Sequence, residues 1–136
     1  MKRQLLSVII VRIAMVAVVS LVTQPVRAAE RETVMVTLHA KPGAEAALTR
    51  VLQQHWETAT RLNLVLPTTH VTLRGTEDGN ETYFVEVFTW RDADIPDKAP
   101  AAILAIWKEM NALVEPRGGQ PGLQFTEVSI VDSSKG

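Results

Sequence analysis

The chain has 136 residues, no cysteine, 46% hydrophobic residues and a formal net charge of −1 at pH 7, which bounds it to one domain at most, with a core held without disulfides. The charge is unevenly spread: residues 1–29 carry Lys2, Arg3, Arg12 and Arg27 and no acid, leaving ten basic residues against fifteen acids, a net charge near −5, in the remainder. An acidic remainder without clustered Lys and Arg excludes a nucleic-acid binder, which needs a positive field. The missing cysteines exclude a thiolate zinc site, a thiol nucleophile and a CxxC redox motif.

Met1 to Gln4 is a short positive stretch, Leu5 to Val22 is mostly apolar, and Val26-Arg27-Ala28 supplies compact residues around a cut after Ala28. The pattern predicts a cleaved secretory signal over residues 1–28, a periplasmic or secreted destination, and no stable membrane association after cleavage. A retained membrane anchor is the alternative reading, since a bilayer span takes about 17 to 25 apolar residues. Arg12 opposes it, because a charge in mid-span is costly. No cysteine follows the apolar run, so a lipid-attachment motif is excluded.

In the domain expected over 29–132, Thr33 to His39 alternates Val34, Val36 and Leu38 with Met35, Thr37 and His39, the period-two pattern of a strand. Lys41-Pro42-Gly43 breaks it. From Ala44 to about Leu64, Ala47, Leu48, Val51, Leu52, His55, Ala59 and Leu62 recur at spacings that form one helical stripe. Thr69 to Gly75 reads as a second strand, with Val71 and Leu73 on one side and His70, Thr72 and Arg74 on the other. Glu77-Asp78-Gly79-Asn80 is a turn of the Asp-Gly hairpin type. In the third strand, Thr82 to Trp90, Tyr83, Val85 and Val87 face away from Phe84, Glu86, Phe88 and Trp90. A polar, proline-bounded connection follows, with room for one loose turn, and Pro100 suits the first turn of a second amphipathic helix over 101–115. Pro116, Gly118, Gly119, Pro121 and Gly122 end that helix, Leu123 to Val131 is a fourth strand, and residues 133–136 form a disordered tail.

The order strand, helix, strand, strand, helix, strand predicts an α+β class, the ferredoxin-like split βαβ: a four-stranded antiparallel sheet with both helices on one face. Strand three is apolar on both sides. The second sheet face is therefore expected to bury itself against a copy of the same sheet in a homodimer.

At Val36-Thr-Leu-His-Ala-Lys-Pro-Gly43, Tyr83-Phe-Val-Glu-Val-Phe-Thr-Trp-Arg-Asp92 and Gly122-Leu-Gln-Phe-Thr-Glu-Val128 the chain resembles the antibiotic biosynthesis monooxygenases of the dimeric α+β barrel superfamily. The resemblance covers nearly the whole domain. It implies a cofactor-independent monooxygenase, or an isomerase, acting on a small aromatic or quinol-like compound, without metal or flavin. Haem-degrading relatives are expected to present a histidine from the second helix and an asparagine from the first strand, and this chain has neither at those positions. The alternative of another class is a non-catalytic small-ligand-binding or structural dimer, since no tight acid–base constellation is visible in the sequence.

A pocket for a quinol needs an acceptor for the phenolic proton, donors for the oxyanion, and apolar walls. His70, Glu86 and Arg74 are the candidate catalytic residues, with His70 as base and Arg74 as oxyanion donor. The competing reading makes His70 an interface histidine and Arg74 a salt-bridged surface residue. Glu86 lies between Phe84 and Phe88, so its carboxylate must pair with a cation or take up a proton. An ion pair across the dimer is the structural alternative. Trp90, Trp107 and Asn111 are the candidate ligand-binding residues, with packing and solvent exposure as their plain alternatives. His55 reads as a hydrogen-bonded core or boundary histidine. The three histidines fall on separate elements without metal-ligand spacing, so no metal site is expected.

Overall fold

The computed structural model describes residues 30–132. The expected export segment at 1–28 and the tail at 133–136 lie outside the described residues. The elements are β1 Glu32–His39, α1 Glu45–Arg61, β2 Val71–Glu77, β3 Glu81–Trp90, a single 3-10 turn at Pro96–Lys98, α2 Ala101–Leu113 and β4 Leu123–Glu127. They form one antiparallel sheet in the order β2-β3-β1-β4, the split βαβ arrangement expected from the sequence pattern. No helix of the described residues is long and apolar enough to cross a membrane.

The boundaries shift for local reasons. Helix α1 stops at Arg61, short of Leu64, because Asn63 turns left-handed (φ 57°) and the Leu64 N–H bonds back to the Ala59 carbonyl, a close common at helix C-termini. Strand β2 starts at Val71, two residues later than the pattern suggests, since Thr69 also has positive φ, 68°. In the hairpin, Glu77 and Glu81 are the last paired residues, so the loop holds Asp78, Gly79 and Asn80, the latter two at φ 80° and 64°. Like charges facing across a strand pair repel; Arg117 offsets this by reaching Glu81 Oε2 at 3.0 Å and Glu77 Oε2 at 3.4 Å. The same guanidinium donates to the Thr82 and Ala40 carbonyls at 3.0 and 2.8 Å, tying the loop after α2 to the sheet. Helix α2 ends at Leu113 because Val114 goes extended to bridge Ala40. Strand β4 is five residues long rather than nine: β1 begins at Glu32, and the last bond along it is Val128 N–H to the Thr33 carbonyl.

The register assigns the two sheet faces. Toward the helices point Val34, Val36 and Leu38 of β1 and Phe84, Glu86, Phe88 and Trp90 of β3, all buried. They meet Leu48, Val51 and Leu52 of α1 and Ile103, Ile106 and Met110 of α2 in one continuous core. On the opposite face, Val71 pairs with Val87 and Val87 with Met35, while Leu73 pairs with Val85. There Val71 and Leu73 are 45% and 56% exposed. Residues of one strand thus divide an aromatic interior from an aliphatic outer sheet face.

Candidate active site

The chemistry-bearing residues converge on the inner face of β3. Glu86 is opposite Val36 on one side and Thr72 on the other, so its carboxyl projects from the middle of the sheet into the helix-covered core, where it is 1% exposed. His70, just before β2, comes alongside and places Nε2 3.0 Å from Glu86 Oε1 and 3.3 Å from the Thr72 hydroxyl. The His70 ring lies flat on Trp56 of α1, with centroids 3.6 Å apart and planes 7° from parallel. The helix fixes the ring's plane and the carboxyl fixes its rotation.

On the other side of Glu86 is His55 of α1, 3% exposed, with Nδ1 3.9 Å from Glu86 Oε2. Its tautomer follows from its neighbour. Trp107 Nε1 can only donate, and it donates to His55 Nε2 at 3.1 Å. The His55 proton is therefore on Nδ1, directed at the Glu86 carboxyl across a contact too long for a hydrogen bond. The result is a polar line through an apolar core, Trp107 to His55 to Glu86 to His70, connecting α2 to the open edge of the sheet.

Burial sets the protonation of this line. Desolvation pushes the Glu86 carboxyl up to about 8. It pushes His55 down to about 4, with the His70 charge as a smaller contribution, and it also lowers His70. An ionised pair would shift both partners the opposite way. Burial prevails here, so at neutral pH the Glu86–His70 contact joins a carboxylic acid to a neutral imidazole. The acid's proton lies between Oε1 and Nε2, and the other imidazole proton sits on Nδ1.

Two cavities flank the line. One, of about 270 Å³, lies between α1 and β2 and is walled by Leu52, Trp56, Phe84, Thr49, Gln53, Thr72 and His70. The other, of about 260 Å³, lies beside α2 and β4, with Trp90 and Trp107 in its wall. Both are at the small end of ligand pockets.

Of the expected catalytic residues, His70 and Glu86 are brought into contact. Arg74 is not: it is exposed, with its guanidinium 5.8 Å from the Phe84 ring centre, and it does not line the His70 cavity. An extended strand carries residues four apart about 13 Å from one another, so sharing a face with His70 did not bring Arg74 to the same site. Trp90 and Trp107 share a wall, but of the other cavity. Asn111 is exposed on α2 and lines neither cavity. His70 and Glu86 both lie on the helix-covered side of the sheet, away from the outer face around Val71 and Leu73. His55 is hydrogen-bonded in the core as expected, and its closeness to Glu86 adds it to the site. Helix α2, Ala101–Leu113, contains no histidine. Among the described residues no group of three or more His, Asp or Glu is arranged to hold a metal.

No protein-family model matches the chain, and no curated protein matches it. Solved structures do. SnoaB, a cofactor-independent oxygenase from Streptomyces nogalater, aligns over 77% of this chain and 97% of its own, with a TM-score of 0.57 and 19% identity. A Mycobacterium tuberculosis protein, Rv0793, aligns over 77% and 99%, with a TM-score of 0.54 and 15% identity. A crystal structure of an antibiotic biosynthesis monooxygenase aligns over 76% and 100%, with a TM-score of 0.53 and 16% identity. At such identities the likeness is one of fold: this chain has the ferredoxin-like α+β fold of the antibiotic biosynthesis monooxygenases.

Proposed function

We propose that the protein is a cofactor-independent monooxygenase of a small electron-rich phenol or quinol, bound in the cavity between α1 and β2. The observation that carries this reading is a buried carboxylic acid, Glu86, hydrogen-bonded at 3.0 Å to a histidine in the wall of a largely apolar cavity. The fold shared with a cofactor-independent oxygenase supports it. Leu52, Trp56 and Phe84 supply apolar surface for an aromatic ring, and His70 Nδ1, the nitrogen not engaged with Glu86 and Thr72, is the atom that exchanges a proton with the substrate.

The chemistry runs in order of proton, electron and oxygen. When the Glu86–His70 pair has lost one proton, Nε2–H donates to the carboxylate and Nδ1 offers a lone pair, which removes the phenolic proton. The electron-rich anion passes one electron to dioxygen, and the two radicals join in a C–O bond. The peroxide anion takes its proton back from Nδ1–H. Loss of water from the carbon that carries both H and OOH then leaves a carbonyl where a ring C–H stood. One oxygen atom enters the product, the other leaves as water, and the substrate supplies all four electrons. The apolar walls keep bulk water from the anion.

Two settings accompany this reading. Export through residues 1–28 would place the domain outside the cytoplasm. A second copy would cover the aliphatic outer face around Val71, Leu73, Val85 and Val87, a patch of the kind that marks an interface. Leu73→Glu places a charge at its centre and is expected to convert a dimer to a monomer in sedimentation. An unchanged sedimentation coefficient would exclude this face as the interface.

A binding protein without turnover is the second reading, favoured by Trp90 and Phe88, which at 1% exposure each fill the middle of the sheet–helix interior. Oxygen uptake by the protein with a panel of hydroquinones and anthrones under air separates the two. Uptake above buffer with at least one member supports the oxygenase. Saturable binding of those compounds without uptake supports the second reading.

A further inference from the structure

The cavity beside α2 and β4 takes no part in the chemistry proposed above, and its lining has a different character. It holds about 260 Å³ and is formed by Glu32, Val34, Trp90, Pro96, Trp107 and Phe125. Trp90 and Trp107 meet at 78° with ring centres 6.2 Å apart, and Trp107 and Phe125 at 63° and 6.3 Å. Rings set nearly edge to face make adjoining walls rather than a stack. The indole N–H of Trp107 is already committed to His55 and is not needed by a ligand.

Glu32 is the one charged residue of the lining, opposite Trp90 in the sheet register. Partial burial, then repulsion from Glu127 and from Asp97, holds its carboxyl above the ordinary range. No cation among the described residues is paired with it: Lys98, next to Asp97 in the chain, is turned to Asp94 at 3.7 Å instead. Glu32 thus faces an aromatic lining, repelled by Glu127 and Asp97 and paired with no cation among the described residues.

Each simpler occupant answers half of this arrangement. An uncharged apolar molecule would cover the rings and bury an acid against nothing. A bare metal ion would meet one carboxylate of the lining and no further ligating side chain. A cation with an apolar shell answers both, since a soft positive charge is attracted to ring faces within about 6 Å of their centres and a carboxylate completes its neutralisation. We propose that this cavity binds a small alkylammonium cation, its quaternary or tertiary nitrogen against the Trp90, Trp107 and Phe125 rings and Glu32 as counter-charge. The site is separate from the one at His70 and does not depend on the oxygenase reading.

Choline is the probe, followed by calorimetry on the whole protein. Saturable binding is expected, weakening as salt is raised. The uncharged analogue, with carbon in place of the ammonium nitrogen, is expected to bind about tenfold more weakly or less. Glu32→Gln keeps size and polarity and should weaken choline about five- to tenfold, with no effect on the analogue. Phe125, 51% exposed on an edge strand, can be changed to Ala with the core intact, and the loss of its wall should weaken both ligands. The absence of saturable binding, an analogue as tight as choline, or an unchanged affinity in Glu32→Gln would each overturn the proposal.

Discussion

Replacing His70 with Gln is expected to lower kcat for oxygen-consuming turnover by about 10²–10⁴-fold, the range in which loss of a positioned general base falls. The substitution is chosen to isolate proton transfer. A glutamine amide still reaches the Glu86 carboxyl and still covers part of the Trp56 ring, so cavity shape and KM should change little. What it removes is the nitrogen that takes up and returns a proton. His70→Ala would open a space against Trp56 that free imidazole can enter, and added imidazole should restore part of the rate. Full activity in His70→Gln would show that the phenolic proton leaves by another route.

The second large effect is on stability and concerns Glu86. Its carboxyl is raised from 4.5 in the unfolded chain to about 8 in the fold. Between those values the native state keeps a proton that the unfolded state has lost, so each pH unit removes about 1.4 kcal/mol of stability. His55 acts in the opposite sense. Lowered from 6.5 to about 4, it makes the unfolded state the better proton binder across that interval, and stability rises with pH there. His70, also lowered, adds to that rise below 6.5. From pH 4.5 to 6.5 the opposing slopes of Glu86 and His55 nearly cancel. From 6.5 to 8 only the Glu86 slope is left, amounting to a loss of about 2 kcal/mol, or roughly 10 °C in Tm for a domain of this size.

Glu86→Gln mimics the protonated acid and cannot ionise. The variant is expected to hold its Tm constant between pH 6.5 and 8, where the wild type falls, and to exceed the wild type at the alkaline end. A parallel fall in both proteins would assign the loss to other groups. The same substitution moves the rate profile. In the wild type, kcat/KM should rise with pH toward a plateau above about 8, as the pair loses the proton that blocks the base form. In Glu86→Gln the midpoint should fall below 6.5, where the depressed titration of His70 alone governs.

The order of elements was legible because the period-two runs at Val34 to Leu38 and Phe84 to Phe88 and the helical stripe through Leu48, Val51, Leu52 and His55 are strong patterns that tertiary packing reinforces. The ends were less so: the left-handed turns at Asn63 and Thr69 carry no glycine to announce them. Within the site, the flanking of Glu86 by Phe84 and Phe88 already required a buried carboxyl to be paired or protonated. The contact with His70 depends on strand register, which pairs Thr72 with Glu86 and which periodicity leaves open. His55 was visible as an inward-facing helix residue, but its place beside Glu86 comes from how α1 crosses β3. A usable hint was chemical: a half-buried Trp107 needs an acceptor for its N–H, and an inward histidine is one. Two cavities in place of one follow from that same line of side chains, which fills the interior between Trp56 and Trp107.

Both the alkaline onset of proton transfer at His70 and the alkaline loss of stability depend on Glu86 holding its proton until about pH 8. Carbon NMR of the side-chain carboxyl, with glutamate labelled and the Glu86 signal assigned by its absence in Glu86→Gln, measures this directly. A titration midpoint near 8 is expected. A midpoint near the ordinary 4.5 would place an ionised carboxylate beside His70 at neutral pH and contradict it.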